Sequence, residues 1–535
     1  MGLFGCFGKI ENIKRQSLNI KIMSETTNNQ RLAKNTLMLY IRMLFLMAVN
    51  LYTSRVLLQA LGVEDFGLYN AVAGFIAMFS MISGSLTAAI SRFITFVLGK
   101  GDEQKLERVF CTSVIIQLAL GVIVIVLVET VGVWFLNTHM TIPEGRETSA
   151  NFVLQFALIS FVINLLCVPY NATIIAHERM SAFAYIGIFE GCANLAIAFL
   201  VLSSPIDSLI FYGLLMCVVA ITTRLLYSIY CNKHFKECNF HLLIDKQILK
   251  EMFGFAGWNF VGSISGLLRS QGINILLNVY NGPVVNAARG LAVQVSTAIT
   301  KFSSNFYTAV QPQITKSYAS GDIKESCALA LRSSRLAFYL LIILSVPVIF
   351  EVDFLLSLWL KEVPEHTAKF VQIIVFYSLF ESLSQPLIQL MLATGDIKRY
   401  QILVGGINLL NFPVAWLILF LGYAPELAQF SVIIFTFAAL FVRVQMLKSM
   451  IGFPAKDFYC GTVIKCMYIL FLCCIVPFGI NHIMESGWIR FLVNVFSTEI
   501  ISFIIIGTIG VTKSERTFVL SKIPHFKKSF HDRNR

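Results

Sequence analysis

Ionisable side chains inside long apolar stretches are the residues of this sequence best suited to binding chemistry. Such a group, placed well inside hydrocarbon, costs roughly 2.5–3.5 kcal/mol on insertion scales, so each one calls for a reason. Guanidinium groups donate paired hydrogen bonds to phosphate and carboxylate, so clustered arginines predict a site for an anion. The basic members are Arg42, Arg55, Arg92, Arg269, Arg289 and Lys301, and the acidic members are Glu190, Glu381 and Glu499.

The basic members differ in depth. Arg42 and Arg92 lie about seven residues from one end of their apolar stretch, so snorkelling to the interface competes with a binding role. Arg269 and Lys301 lie deeper, where snorkelling fits poorly, and we expect them to face a cavity. The candidate anion-binding set is Arg42, Arg55, Arg269, Arg289 and Lys301; the candidate polar or coupling groups are Asn50, Asn274, Glu190 and Glu381. The two glutamates have an alternative role as simple packing partners of these cations.

The elements that must position these side chains are membrane-spanning helices. The 535-residue chain is 56% apolar and only 13% charged, and its apolar runs have the ~20-residue length that crosses ~30 Å of hydrocarbon. The prediction is an all-α membrane protein of about fourteen spans. They are placed at 36–60, 66–98, 109–136, 149–176, 181–203, 206–231, 252–281, 284–318, 327–350, 367–393, 397–421, 425–450, 459–482 and 487–511.

The placement of lysine and arginine predicts orientation. Alternate loops are rich in these residues, and such loops stay in the cytoplasm. Both termini are therefore predicted to be cytoplasmic, and most of the net charge of +12 is orientation signal rather than a nucleic-acid surface. The twelve cysteines avoid the external loops, which disfavours disulfides. No motif indicates a metal or a cofactor.

A long internal repeat organises the spans. At an offset of 220 residues, Gly62 falls on Gly282 and Gly101-Asp102 falls on Gly321-Asp322. Six spans per copy is an even number, so the copies are parallel repeats around a central cavity. The predicted organisation is a cytoplasmic tail (1–34), an N lobe of spans 1–6 (35–231), a basic linker (232–250), a C lobe of spans 7–12 (251–451), two extra helices (456–512) and a basic cytoplasmic tail (513–535). All six basic residues of the opening set are assigned to spans 1, 2, 7 and 8.

Several short motifs, in order, carry a family resemblance. They include Leu61-Gly62 with Asp65-Phe66-Gly67, Ser91-Arg92-Phe93, Pro169-Tyr170-Asn171, Glu178-Arg179-Met180, Gly257-Trp258 and Gly395-Asp396. The chain resembles the polysaccharide-transport flippases of the multidrug/oligosaccharidyl-lipid/polysaccharide (MOP, MATE-like) exporter superfamily. The likeness covers roughly residues 34 to 455.

This resemblance implies a function that the residues alone do not give. It implies a flippase that moves an oligosaccharide on polyprenyl pyrophosphate across the bacterial inner membrane by alternating access, for O-antigen, lipopolysaccharide or capsule biosynthesis. The expected partners are the lipid-linked substrate, membrane lipid, and polysaccharide polymerase and glycosyltransferase machinery, with no nucleic acid. A lipid II flippase and a cation-coupled multidrug antiporter are the alternatives. The antiporter would be expected to hold carboxylates where this chain holds arginine and lysine. An enzyme is disfavoured, since the longest external loop offers few acid–base groups.

Overall fold

The computed structural model describes residues 31, 34–50, separate positions between 52 and 76, 79–138, 142, 145–241, 243–360, 363–512 and 515–516; within them, every regular element is a helix. The helices are α1 (34–50), α2 (Ser80–Lys100), α3 (Glu103–Leu127), α4 (Val133–Thr138), α5 (Glu147–Ala176), α6 (Met180–Val201), α7 (Ser208–His234), α8 (Lys246–Ala319), α9 (Ile323–Phe350), α10 (Val352–Trp359), α11 (Thr367–Thr394), α12 (Lys398–Phe420), α13 (Pro425–Ile451), α14 (Lys465–Ile483) and α15 (Trp488–Ile505). The all-α prediction is confirmed.

Ten helices of the described chain are long and apolar enough to cross a membrane. They comprise α3 continued through α4, α5, α6, α7, α9, α11, α12, α13, α14 and α15. The helices α2 and α8 are outside this set, and they correspond to spans 2, 7 and 8, where the sequence places Arg92, Arg269, Arg289 and Lys301. The count of fourteen remains a prediction.

The repeated positions adopt matching backbone conformations. Gly62 (φ 76°) and Gly282 (φ 82°) both lie in the left-handed region, which glycine reaches without steric cost. At Gly282 the long helix α8 breaks into two arms. The side chains of Asp102 and Asp322 accept a backbone N–H three residues on and so cap α3 and α9. The same residue types thus make the same turns in both copies.

The helices pack in two groups. The N lobe comprises α1–α7, in which α5 packs on α2, α3 and α7, and α6 packs on α7. The C lobe comprises α8–α13, in which α8 packs on α9, α11, α12 and α13, and α11 packs on α9 and α13. The helices α14 and α15 pack on α9. The groups meet chiefly where α2 lies along α8.

The segment between the lobes is attached to α3. The thiol of Cys111 lies 3.7 Å from the carbonyl oxygen of Asn239, and the Asp245 amide lies 3.5 Å from the Thr112 hydroxyl. Arg108 Nη1 lies 3.9 Å from Asp245 Oδ2. The carboxylate of Asp245 accepts the first free amides of α8. The linker therefore lies against the N lobe up to the first turn of α8.

Candidate functional site

A polar stripe runs along the second arm of α8. Its members recur at three- and four-residue spacing, which places them on one face of the helix. They are Gln294, Thr297, Lys301, Ser304 and Thr308, and the first four are exposed. The hydroxyls of Thr297, Ser304 and Thr308 donate to backbone carbonyls of the same helix, but the ammonium group of Lys301 opposite lipid would be costly. The stripe therefore fits a water-filled space, with Lys301 as its cation.

The same arm touches the N lobe. The rings of Phe302 and Tyr40 lie 6.0 Å apart between centroids. Nearer the end of the arm, Ala309 is buried against Leu39 and Met180. Lys301 thus belongs to a helix that borders both lobes.

Arg42 lies inside the N lobe. Its guanidinium carbon sits 4.2 Å above the ring of Phe183, and its Nε lies against Gly187, where a Cβ would come within 2.2 Å. One turn later, Gly191 accommodates Leu46 in the same way. The small-residue step on α6 therefore allows the close approach of α1. The guanidinium group of Arg42 packs between α1 and α6.

Arg269 lies inside the C lobe. Its Nη1 donates to Asn408 Oδ1 (3.2 Å) and its Nη2 donates to the Tyr377 hydroxyl (3.0 Å). It lines a cavity of about 190 Å³ between the first arm of α8 and helices α11, α12 and α13. Glu381 lines the same cavity, and its Oε1 accepts from Gln385 Nε2 at 3.4 Å.

Arg289 joins the two arms of α8. It is 5% exposed; its Nη1 donates to Asn274 Oδ1 on the first arm, and its Nε donates to Gln429 Oε1 on α13 at 2.7 Å. These contacts place both Arg289 and Asn274 in a packed turn around Gly282.

The remaining predicted residues are dispersed. Glu190 lies on α6 within electrostatic range of Arg42, Asn50 is exposed on α1 and Glu499 is partly exposed on α15. Arg55 lies outside the described residues. The structure therefore does not bring the predicted cations together at one point: it separates Arg42, Arg269, Arg289 and Lys301 among the interiors of both lobes and the stripe on α8.

The sequence analysis missed two arginines, of which Arg224 is partly buried and Arg443 is buried. Arg224 on α7 lies with its guanidinium carbon 4.0 Å above the ring of Tyr170. Arg443 on α13, which was attributed to a basic loop, is 4% exposed and donates through Nε to the Tyr400 hydroxyl at 3.3 Å. The signal that could have found them is the repeat itself, because they are 219 residues apart, close to its offset. The opening set of basic residues is therefore incomplete, because Arg224 and Arg443 lie on the helices that correspond to spans 6 and 12.

Two polar contacts join the lobes at one end of the helices. We name this end, which carries the turns at 177–179 and 395–397, the basic side. In the first contact, the α5–α6 turn of the N lobe meets the end of α8. The carboxylate of Glu178, which has φ 57°, accepts from Lys316 Nζ (3.1 Å) and Gln313 Nε2 (3.3 Å). The side chain of Glu178 is 6% exposed.

The second contact reverses these roles. Arg92 of α2 reaches the α11–α12 turn of the C lobe, where its Nη2 donates to the Ala393 carbonyl oxygen (3.3 Å) and packs on Gly395. Its guanidinium carbon lies 5.4 Å from the ring centre of Phe255 on α8. Gly395 has φ 82°. It corresponds to Glu178 in the internal repeat, whose offset in this stretch is 217 residues. Arg92 therefore reaches from one lobe to the other at the basic side.

Sequence comparison identifies the family. A family model described as "Polysaccharide biosynthesis protein" matches residues 32–318, more than half of the chain. The chain belongs to the polysaccharide biosynthesis protein family. A second model, MatE, matches residues 260–417 of this family member. The chain is also 20% identical over 300 residues to the uncharacterized membrane protein EpsK of Bacillus subtilis (strain 168), covering 55% of the chain and 58% of EpsK.

Solved structures share the fold of this polysaccharide biosynthesis family member. A MATE transporter in its straight conformation superimposes with a TM-score of 0.69 at 12% identity, covering 80% of the chain and 97% of that transporter. A MOP superfamily transporter from Pyrococcus furiosus, described as having a binding pocket of reverse polarity, gives a TM-score of 0.66 at 12% identity, with 78% and 96% covered. The protein is thus a multi-pass membrane protein of the polysaccharide biosynthesis family that has the fold of these transporters.

Proposed function

We propose that this transporter is a flippase for an oligosaccharide carried on polyprenyl pyrophosphate, working in the bacterial inner membrane with both termini in the cytoplasm. Glycosyltransferases would supply its substrate and a polysaccharide polymerase would consume its product. The match of the polysaccharide family model to residues 32–318 supports the substrate class. The packing of α2 along α8, where the two lobes meet, supports an alternating-access motion of one lobe against the other.

The observation that carries the proposal is the stripe containing Lys301. An exposed ammonium group with hydroxyl and amide neighbours on one helix face provides a cation for the pyrophosphate and polar partners for sugar hydroxyls. Lysine binds phosphate as a mobile point charge and tolerates different head-group positions. This suits a substrate that must be released on the other side.

The other predicted cations act on the substrate in different ways. Arg42, Arg269 and Arg289 are held by partners inside the lobes, so we propose that they add positive potential to the space between the lobes. Arg55 is proposed as a direct contact at the outer end of span 1. Asn50 and Asn274 are proposed as polar groups of this region, and Glu190 and Glu381 as groups that offset the local positive charge.

Reconstituted vesicles test this proposal. The purified protein is placed in liposomes with a fluorescent oligosaccharide on polyprenyl pyrophosphate, and transfer is measured as loss of the glycan's accessibility to an added glycosidase. Lys301→Glu should slow transfer roughly 10- to 100-fold, since one charge-assisted contact contributes ~1.5–3 kcal/mol. Lys301→Gln should show a smaller loss.

The matched control is Lys324→Glu, an exposed lysine at the start of α9 that makes the same charge change away from the stripe. Equal transfer by Lys301→Glu and wild type would refute the role of Lys301. Failure of the wild type to move this lipid, with transfer of lipid II in parallel vesicles, would instead refute the substrate class.

A further inference from the structure

The cavity inside the C lobe is a second polar site, separate from the stripe on α8. Asn259 and Ser263 line it from the first arm of α8, Tyr400 and Gln401 from α12, and Thr436 from α13. Its volume is about 190 Å³, and the exposed residue Ser263 is among those that line it. It has room for a small ion with a few waters.

The charges around this cavity do not balance. Arg269 and Arg443 contribute two guanidinium groups, and Glu381 contributes one carboxylate. Within the described residues, Glu381 has no ion pair with either arginine. With all three groups ionised, the cavity carries a net charge of +1 within a packed lobe, where an uncompensated charge is costly.

Arg443 has fewer protein acceptors than Arg269, the other arginine of this cavity. It is 4% exposed, and its one hydrogen bond in the described part of the chain runs from Nε to the Tyr400 hydroxyl. Its Nη groups, with four N–H donors, have no acceptor there. Arg269 satisfies its Nη groups with two neutral oxygens, from Asn408 and Tyr377, and Glu381 lies within its electrostatic range, so among the described residues Arg443 is the cation of this cavity that lacks a counter-charge.

We propose that the C-lobe cavity binds a monovalent inorganic anion of the size of chloride, held by the Nη groups of Arg443 and the field of Arg269. Such an ion cancels the net charge and supplies the missing acceptor. The hydroxyl of Ser263 and the amide of Gln401 complete the donor set. The site stabilises the packing of α8 against α12 and α13. It does not depend on the lipid-linked substrate.

Thermal unfolding of the purified full-length protein tests the proposal. The midpoint is measured in sodium chloride, sodium bromide and sodium gluconate mixtures at constant sodium and ionic strength. Because a ligand that binds only the folded state stabilises it by mass action, the midpoint should rise along a saturation curve with chloride or bromide. Arg443→Gln should remove this rise, and Arg399→Gln, an exposed arginine on α12, should keep it.

A wild-type midpoint that is independent of the anion would overturn the proposal, as would an equal chloride response in Arg443→Gln. If Arg443→Gln does not fold, a bromide-soaked crystal of the wild type decides the matter. Anomalous density between Arg269 and Arg443 is expected. Its absence at a bromide concentration that saturates the thermal shift would rule the site out.

Discussion

Replacing Glu178 with glutamine should open the basic side of the transporter. The glutamine keeps the size of the side chain and can still meet Gln313, but it loses the charge that holds Lys316 Nζ at 3.1 Å. The side chains of Glu178 and Lys316 are 6% and 25% exposed, so solvent screens their interaction only partly. The contact between Glu178 and Lys316 exists only while this side is closed, so removing it destabilises the closed state.

The size of the effect follows from this one contact. A hydrogen bond to a charged group contributes about 1.5–3 kcal/mol when its partner is removed. This corresponds to a roughly 10- to 100-fold change in the ratio of closed to open molecules. A ratio of about 100:1 would fall to between about 10:1 and 1:1, a range in which both states are measurable.

Double electron–electron resonance measures this ratio directly. Spin labels at Arg179 and Arg399, which are exposed on the basic side of the N and C lobes, are introduced on a cysteine-free background. Glu178→Gln should add a longer-distance component, and Lys316→Gln should add the same one. The double variant should show little further change, because both substitutions remove one interaction.

Two results would refute this reasoning. An unchanged distance distribution in both single variants would show that the contact does not control the closed state. Fully additive effects in the double variant would show that the two side chains act independently.

Further predictions concern the second lobe contact and two carboxylates outside the membrane spans. Gly395→Ala should weaken the basic-side contact, because a Cβ would lie 2.4 Å from Arg92 Nη2 at a residue with φ 82°; the same spin-label distances should lengthen. Burial raises the pKa of Glu237, but its hydrogen bonds, above all with His177, bring the pKa below the ordinary value. The ionised Glu237 carboxylate therefore stabilises the fold above about pH 4.3, and this stabilisation is lost as the pH falls through the depressed pKa. In Glu237→Gln, the unfolding midpoint should consequently fall less steeply as the pH is lowered. Glu515→Gln should lower the unfolding midpoint, since it removes an acceptor at 2.9 Å from both Arg332 and Arg335; an unchanged midpoint would count against this contact.

The sequence predicts most of the backbone and less of the site. Apolar run length gives the helices, and the matched glycines and aspartates give the turns, because these features act locally. The direction of a charged side chain is not local. Arg269 and Lys301 were predicted to face one chamber, yet Arg269 is drawn into the C lobe by Tyr377 and Asn408. Those partners lie more than a hundred residues away, and no spacing rule brings them to it.

Arg443 shows a related limit. It lies eight residues before the end of α13, a position from which a long side chain can reach the interface. The position therefore looks like that of an orientation charge. Only the packing of α12 against α13, which brings Tyr400 to its Nε, separates a buried guanidinium from a snorkelling one.

The attachment of the linker to α3 determines where the chain can bend. Since Asn239 and Asp245 contact Cys111 and Thr112, the connecting segment is attached to α3 and does not behave as a loose tether. Any swing of one unit against the other must be absorbed within a residue or two of Asp245, at the root of α8. The axis of that movement therefore lies near the start of α8, and the displacement of one lobe relative to the other should increase with distance from this point.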